Sequence, residues 1–252
     1  MKKDAKGCLA GKTVLVSGGG SGLGAAVVRG AAQGGARLVV NCRKDHARAR
    51  GVAQEVRQQG GEAIALCHDV TDYREAAALF SEAASAFGGV DIVVNTVGGF
   101  LWKPVADMEA SEWKATIASN LDPVFNLCRL ALPHMRKSHF GRIVCIASVG
   151  AERTLGQSKV SAYLAAKSAV VAFCKSLALE EARSGITVNV VCPGLLGAEP
   201  SQGGENHDLA ERVPVGRTGS YDDVVRAILF FAEPSAELLT GQVLSVAGGW
   251  LL

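Results

Sequence analysis

Seven short runs rich in β-branched residues recur along the chain, and longer helix-forming stretches separate them. The runs occupy residues 13–17, 36–41, 62–66, 90–95, 142–147, 186–191 and 242–246. They are apolar at successive positions, as in Thr13-Val14-Leu15-Val16 and Ile92-Val93-Val94. A strand of that kind is buried on both faces of its sheet. Strands that alternate with helices need crossover connections and therefore run parallel. The expected fold is α/β: a doubly wound, seven-stranded parallel sheet flanked by helices. The 252 residues suit one domain of this class, and 48% apolar content is enough to cover a sheet on both sides. No linker composition and no internal repeat divides the chain, so residues 1–252 are expected to form a single domain.

Charge narrows the function classes. The chain carries 26 basic and 24 acidic residues, a net charge of +2, with no long run of one sign. It lacks the electrostatic footprint of a nucleic-acid or anionic-membrane binder. Basic residues near the start precede no apolar signal core, and no stretch approaches the roughly 18 apolar residues of a spanning helix. The seven cysteines have no C-x-x-C spacing and mostly sit in apolar runs, which reads as small buried hydrophobes in a reducing compartment. A cytoplasmic location, without nucleic-acid or membrane partners, is the expectation.

The first strand ends in Ser17-Gly18-Gly19-Gly20-Ser21-Gly22-Leu23-Gly24, and a helix follows. Glycines between strand one and a helix allow a tight turn and bring backbone N–H groups close to a pyrophosphate, which the helix N-terminus also attracts. The second strand ends in Asn41-Cys42-Arg43-Lys44. A carboxylate there would bond a ribose 2′-hydroxyl and repel a 2′-phosphate. Cys42 takes the acid's place, Arg43 offers a forked phosphate partner and Lys44 a second charge. NADP(H) is expected over NAD(H). Asp45 is read as the cap of the next helix.

Tyr163 and Lys167 stand four apart in a helix-forming stretch, hence on one helix face. An ammonium beside a phenol favours the phenolate and should lower its pKa, and a phenol so tuned serves as general acid or base. Ser148 ends the fifth strand, at the sheet edge where such folds bind ligands.

The glycine turn resembles the T-G-x-x-x-G-x-G of the short-chain dehydrogenase/reductase family, with Ser17 in place of threonine. The resemblance extends over nearly the whole chain. Asp69-Val70 ends the third strand, Asn95-Thr96-Val97-Gly98 stands where the family has N-N-A-G, Pro193-Gly194 follows strand six, and Thr240-Gly241 with Gly248-Gly249 matches the family's C-terminal pattern. It implies a single-domain Rossmann fold and an oxidoreductase. It also implies adenine contact at Asp69 and Val70, carbonyl orientation by Ser148, proton transfer by Tyr163, ribose binding by Lys167 and a relay water on Asn120. Cofactor contacts are thereby expected at Ser17, Gly18, Gly20, Ser21, Gly22, Leu23, Gly24, Asn41, Arg43, Lys44, Asp69, Val70, Asn95, Val97, Gly98, Tyr163, Lys167, Pro193 and Gly194. No metal site is expected.

Some features depart from the family. Ser148 and Tyr163 are fifteen positions apart, longer than usual, and the excess falls in the polar residues 152–159. Ala198 replaces a threonine that bonds the carboxamide, and Thr96-Val97 replaces Asn-Ala without an evident reason. The polar, glycine-rich stretch at about 194–213 is read as a mobile substrate loop or a plain surface loop. Phe100, Leu101, Trp102, Leu155, Leu195 and Leu196 are candidate walls of an apolar pocket. The expected substrate is a small carbonyl or alcohol. Similarity to 3-oxoacyl-carrier-protein reductases suggests a carrier-bound substrate, but Pro133 and Leu179 stand where those enzymes have docking arginines, with Arg136 and Arg183 nearby. The alternative from another class is a non-catalytic NADP(H)-binding regulator. Extra apolar residues on the stretches 108–137 and 161–183 (Leu127, Leu130, Leu132, Val170, Val171, Phe173, Leu177), which the resemblance implies pair with a neighbour's across a two-fold, and the apolar end Trp250-Leu251-Leu252 suggest a homotetramer, with a dimer as the alternative.

Overall fold

The computed structural model describes residues 7–197 and 210–251. Seven strands are present: β1 (Thr13–Ser17), β2 (Arg37–Cys42), β3 (Glu62–Cys67), β4 (Ile92–Asn95), β5 (Gly141–Ile146), β6 (Ile186–Pro193) and β7 (Val243–Val246). Six helices that lie wholly within the described residues alternate with them: α1 (Gly22–Gln33), α2 (His46–Gln58), α3 (Tyr73–Phe87), α4 (Ala110–Ser138), α5 (Ser161–Glu181) and α6 (Tyr221–Ala232). The strands form one parallel sheet in the order β3-β2-β1-β4-β5-β6-β7. This is the Rossmann arrangement expected from the alternation.

The two faces follow from the period-2 direction of strand side chains. Val14 and Val16 point to the face covered by α1, α2 and α6, where Val28, Val52 and Ile228 are buried. Leu15 points to the other face, with Leu79 of α3, Leu127 of α4 and Val170 of α5. Every expected strand exists, with ends shifted by two residues or fewer. At β4 the shift has a cause: the Asp91 carboxylate, rather than a strand carbonyl, accepts the Thr13 N–H at 2.8 Å, so the ladder begins two residues later, at Ile92.

The apolar surplus on α4 and α5 is largely consumed within the chain. Leu127, Val170, Val171 and Leu177 are buried, because the two helices pack side by side against the sheet as well as on each other. The large apolar residues left exposed on these two helices are Trp113, Phe125 and Leu179. The segment Ser161–Ser184 is the one described helical stretch long and apolar enough to cross a membrane, and half of it is buried in this core.

Chain connections run from β1 outward to β2 and β3 on one side and then back to β4 on the other. A crevice opens where that order reverses, at the carboxyl ends of β1 and β4.

Candidate active site

Two adjoining clefts of about 260 and 390 Å³ line this crevice and share Gly18, Ser21 and Arg43. The glycine turn forms their wall. Gly18 takes φ +70°, and a Cβ on Gly24 would lie 2.2 Å from the Gly18 carbonyl oxygen, so the turn closes only without side chains there. No side chain caps α1 at Ser21, which leaves first-turn N–H groups open to a ligand. The cleft residues therefore fit a dinucleotide phosphate on the structure's own evidence: open helix N–H groups beside a cradle that a Cβ would fill.

Beneath the turn, the side chains hold strands together. Ser17 Oγ donates to Asn95 Oδ1 at 2.6 Å, and that same oxygen accepts the Val97 N–H at 3.3 Å. Thr96 Oγ1 donates to the Ser17 carbonyl at 2.6 Å, which supplies the missing reason for threonine in this motif: it ties the end of β1 to the β4 turn. Asn41 spends its amide on the carbonyls of Cys42, Leu66 and His68. Ser17, Asn95 and Asn41 thus spend these groups on fixing the cleft wall, and Asn41 also lines the larger cleft.

The smaller cleft lies at the β2–α2 corner and is lined by Cys42, Arg43, Lys44, Asp45 and Arg48. Asp45 caps α2 by accepting from Arg48 N at 3.1 Å, as expected. Arg48 was not read from the sequence as a site residue. Its signal is a cation in the first turn after that cap, where a side chain returns toward the strand end. The larger cleft runs past Asp69, Val70, Val97 and Gly98 to Ser119. Asp69 accepts from Thr71 N and Oγ1 at 3.0 and 2.7 Å, and Arg43 Nη1 lies 3.9 Å from its other oxygen, which leans the guanidinium across the cleft mouth.

At the far end stand the four residues expected to do the chemistry. Ser148 follows β5, and its hydroxyl is hydrogen-bonded to Tyr163. Lys167 lies one turn along α5, 96% withdrawn from solvent, with Nζ 5.7 Å from the Tyr163 ring centre and donating to the Ile146 carbonyl at 2.8 Å. Asn120 is fully buried in α4 and donates to the Gly99 and Thr116 carbonyls at 2.8 Å each, while its Oδ1 has no partner. A Cβ on Gly98 would sit 2.4 Å from Asn120 Oδ1 and 3.0 Å from Lys167 Nζ. The glycine keeps open a small space between an unpaired acceptor and an ammonium.

The electrostatics differ from the expected ones. Burial raises the Tyr163 phenol above its ordinary value, and the Ser148 hydrogen bond offsets this only in part. Burial also pulls the Lys167 ammonium down to about 8. The expected depression of the phenol is absent because Lys167 bonds a carbonyl and not the phenol, and desolvation dominates both groups.

Phe100 meets Tyr163 edge-on at 5.1 Å between ring centres, and Trp102 lies 6.3 Å from Phe100. Both are more than 60% exposed, so they belong to the mouth of the site and not to the core. The longer Ser148–Tyr163 connection turns partly inward: Glu152 accepts from Ser245 Oγ at 2.9 Å. Pro193 and Gly194 end β6 against β7, with Gly194 N donating to the Val246 carbonyl at 3.0 Å. Residues 195–197 are pinned to Gly219, so the start of the expected loop at 194–213 is anchored. Ala198 and the stretch 198–209 lie outside the described residues, as does Leu252.

Comparison with known proteins agrees with this geometry. The family described as enoyl-(acyl carrier protein) reductase matches residues 18–251. A 3-oxoacyl-(acyl-carrier-protein) reductase of Staphylococcus aureus is 32% identical over 242 residues, covering 94% of this chain and 97% of the relative. L-fucose dehydrogenase of Bos taurus is 37% identical over 253 residues, covering 95% and 89%. The crystal structure of a gluconate 5-dehydrogenase from Burkholderia cenocepacia in complex with NADP and tartrate superposes with a TM-score of 0.88 at 32% identity, covering 96% of this chain and 95% of that one. The chain belongs to the short-chain dehydrogenase/reductase family, oxidoreductases that interconvert CH–OH and carbonyl groups with NAD(P).

Proposed function

We propose that this protein moves a hydride between NADP(H) and a small carbonyl or alcohol substrate, with Tyr163 as general acid and base. The observation that carries the proposal is the convergence of Tyr163, Ser148, Lys167 and Asn120 at one end of the dinucleotide cleft, around the space kept by Gly98. Bound in that cleft, the nicotinamide supplies or accepts the hydride. The Ser148 hydroxyl orients the substrate oxygen, and Tyr163 gives it a proton as charge develops there, or takes one in the reverse direction. Lys167 holds the ribose by its ammonium, and Asn120 Oδ1 accepts from a water that refills the proton. A raised phenol pKa suits the donor role: the group stays protonated at neutral pH until the developing alkoxide takes its proton.

NADP(H) is favoured over NAD(H) because Arg43, Lys44 and Arg48 surround a cleft in which Cys42 stands at the position of a ribose-binding acid. A carrier-bound acyl substrate is the weaker reading. Leu179 is 83% exposed where a docking arginine would be needed, and Arg136 is engaged by the buried Glu181. A homotetramer built on the α4 and α5 faces is favoured by the outward Phe125 and Leu179, and a cytoplasmic location by the unpaired spacing of the cysteines. The test is purified protein with NADPH and a panel of diketones, keto-sugar acids and oxosteroids, followed at the nicotinamide absorbance. Turnover of at least one panel member is expected. NADPH binding without turnover of any would favour an idle cofactor-binding protein.

A further inference from the structure

Cys42 and Cys67 are 25 residues apart, yet they face each other as register partners at the carboxyl ends of β2 and β3. Their side chains leave the same face of the sheet, and the two sulfurs are 2.9 Å apart. In-register neighbours on adjacent strands have Cα atoms about 4.8 Å apart. That lies inside the disulfide range of about 4.4–6.8 Å, so the strands need no rearrangement to be bridged. β3 is the edge strand of the sheet, and Cys67 is half-buried, so a small reagent can reach it. Cys42 is buried and lines the cleft assigned to the 2′-phosphate, immediately before Arg43.

We propose that Cys42 and Cys67 form an oxidisable thiol pair that a low-molecular-weight disulfide closes, and that closure weakens the hold of the neighbouring cleft on NADPH. The second half rests on the cofactor reading above. In the first step the Cys67 thiolate attacks one sulfur of the small disulfide. The S–S bond of the reagent breaks, and one thiol leaves with the electron pair and a proton. In the second step Cys42 gives up its proton and attacks the Cys67 sulfur of the mixed disulfide, releasing the second thiol. Two protein thiols are oxidised, one small disulfide is reduced to two thiols, and the two thiol protons leave with them.

Each residue has a distinct part. Burial, with the Cys67 thiol beside it, pushes the Cys42 thiol up to about 12, so Cys42 rests protonated and acts second, when its target sulfur is already in contact. The bond draws the sulfurs from 2.9 Å to about 2.05 Å. Two connections pass that movement on. Arg43 is the next residue after Cys42, and the Asn41 amide ties the carbonyls of Cys42, Leu66 and His68 into one corner. Asp69, which faces Arg43 across the cleft mouth, follows His68 directly. In a reducing compartment a pair of this kind serves as a transient sensor rather than a structural brace.

The test treats the purified protein with oxidised glutathione, digests it without reduction, and measures NADPH affinity by fluorescence before and after. The expected result is a peptide pair linked through Cys42 and Cys67, an affinity for NADPH about tenfold weaker, and recovery of both on addition of dithiothreitol. Cys67→Ser should keep the reduced protein's affinity and lose the response. Cys8, which is exposed, should take a simple glutathione adduct and serves as the internal control. Adduct at Cys8 without any Cys42–Cys67 linkage would overturn the proposal, as would full linkage with unchanged NADPH affinity. Reduced protein that binds no NADPH would instead overturn the cofactor reading, and the linked peptide would still decide whether the thiols pair.

Discussion

Lys167 concentrates the chemistry of the site into one group. It is almost fully buried and donates to the Ile146 carbonyl, and burial pulls its ammonium from the ordinary 10.5 down to about 8. The unfolded chain keeps a proton on this lysine up to about pH 10.5, the folded chain only to about 8. Between those values unfolding takes up a proton, so stability rises with pH over that window. Lys167→Met keeps the apolar stem and removes the titration. Urea unfolding from pH 8 to 10 should give a curve for the wild type that climbs relative to the variant, and parallel curves would contradict the buried, weakly held charge. That residues 148, 163 and 167 meet in one place was legible in the sequence, because the four-residue spacing puts Tyr163 and Lys167 on one helix face and Ser148 follows a strand end. The direction of the Tyr163 shift was not, because spacing places an ammonium near a phenol but says nothing about how much water surrounds either.

At the scale of elements, the proposed preference for NADP(H) rests on the β2–α2 corner. Arg43→Asp would remove the proposed phosphate partner and add repulsion. Loss of one charge-assisted bond costs about 1.5–3 kcal/mol, one to two decades in affinity. Titration should show that weakening for NADPH and little change for NADH, and equal affinity of the unaltered protein for both would sink the assignment. Asp45→Ala separates capping from ligand binding at the same corner. The lost cap should lower stability by about 0.5–2 kcal/mol while NADPH affinity holds, and thermal unfolding beside the same titration reads both. Strands and crossovers were legible because continuous apolar runs force parallel burial. Arg48 and the Cys42–Cys67 contact were not: one returns through a helical turn, and the other needs the register of two strands, which apolar pattern alone leaves open.

For the whole molecule, most of the apolar surplus on α4 and α5 turned out to belong to the core, and the sequence could not separate these residues from Phe125 and Leu179 because both sets lie on the same two helices. In the proposed assembly a partner face covers Phe125 and Leu179. Light scattering should find a tetramer at micromolar concentration, and Leu179→Glu should reduce it to a smaller species, whereas a wild-type monomer would refute the assembly. The central claim is that Tyr163 is the proton donor of an NADP(H)-linked oxidoreductase, and Tyr163→Phe tests it most directly because it keeps the ring and its contact with Phe100. With a substrate from the carbonyl panel, turnover should fall by about 10²–10⁴-fold while NADPH affinity stays within experimental error of the wild type. Turnover close to that of the wild type would place the proton donor elsewhere and contradict the account.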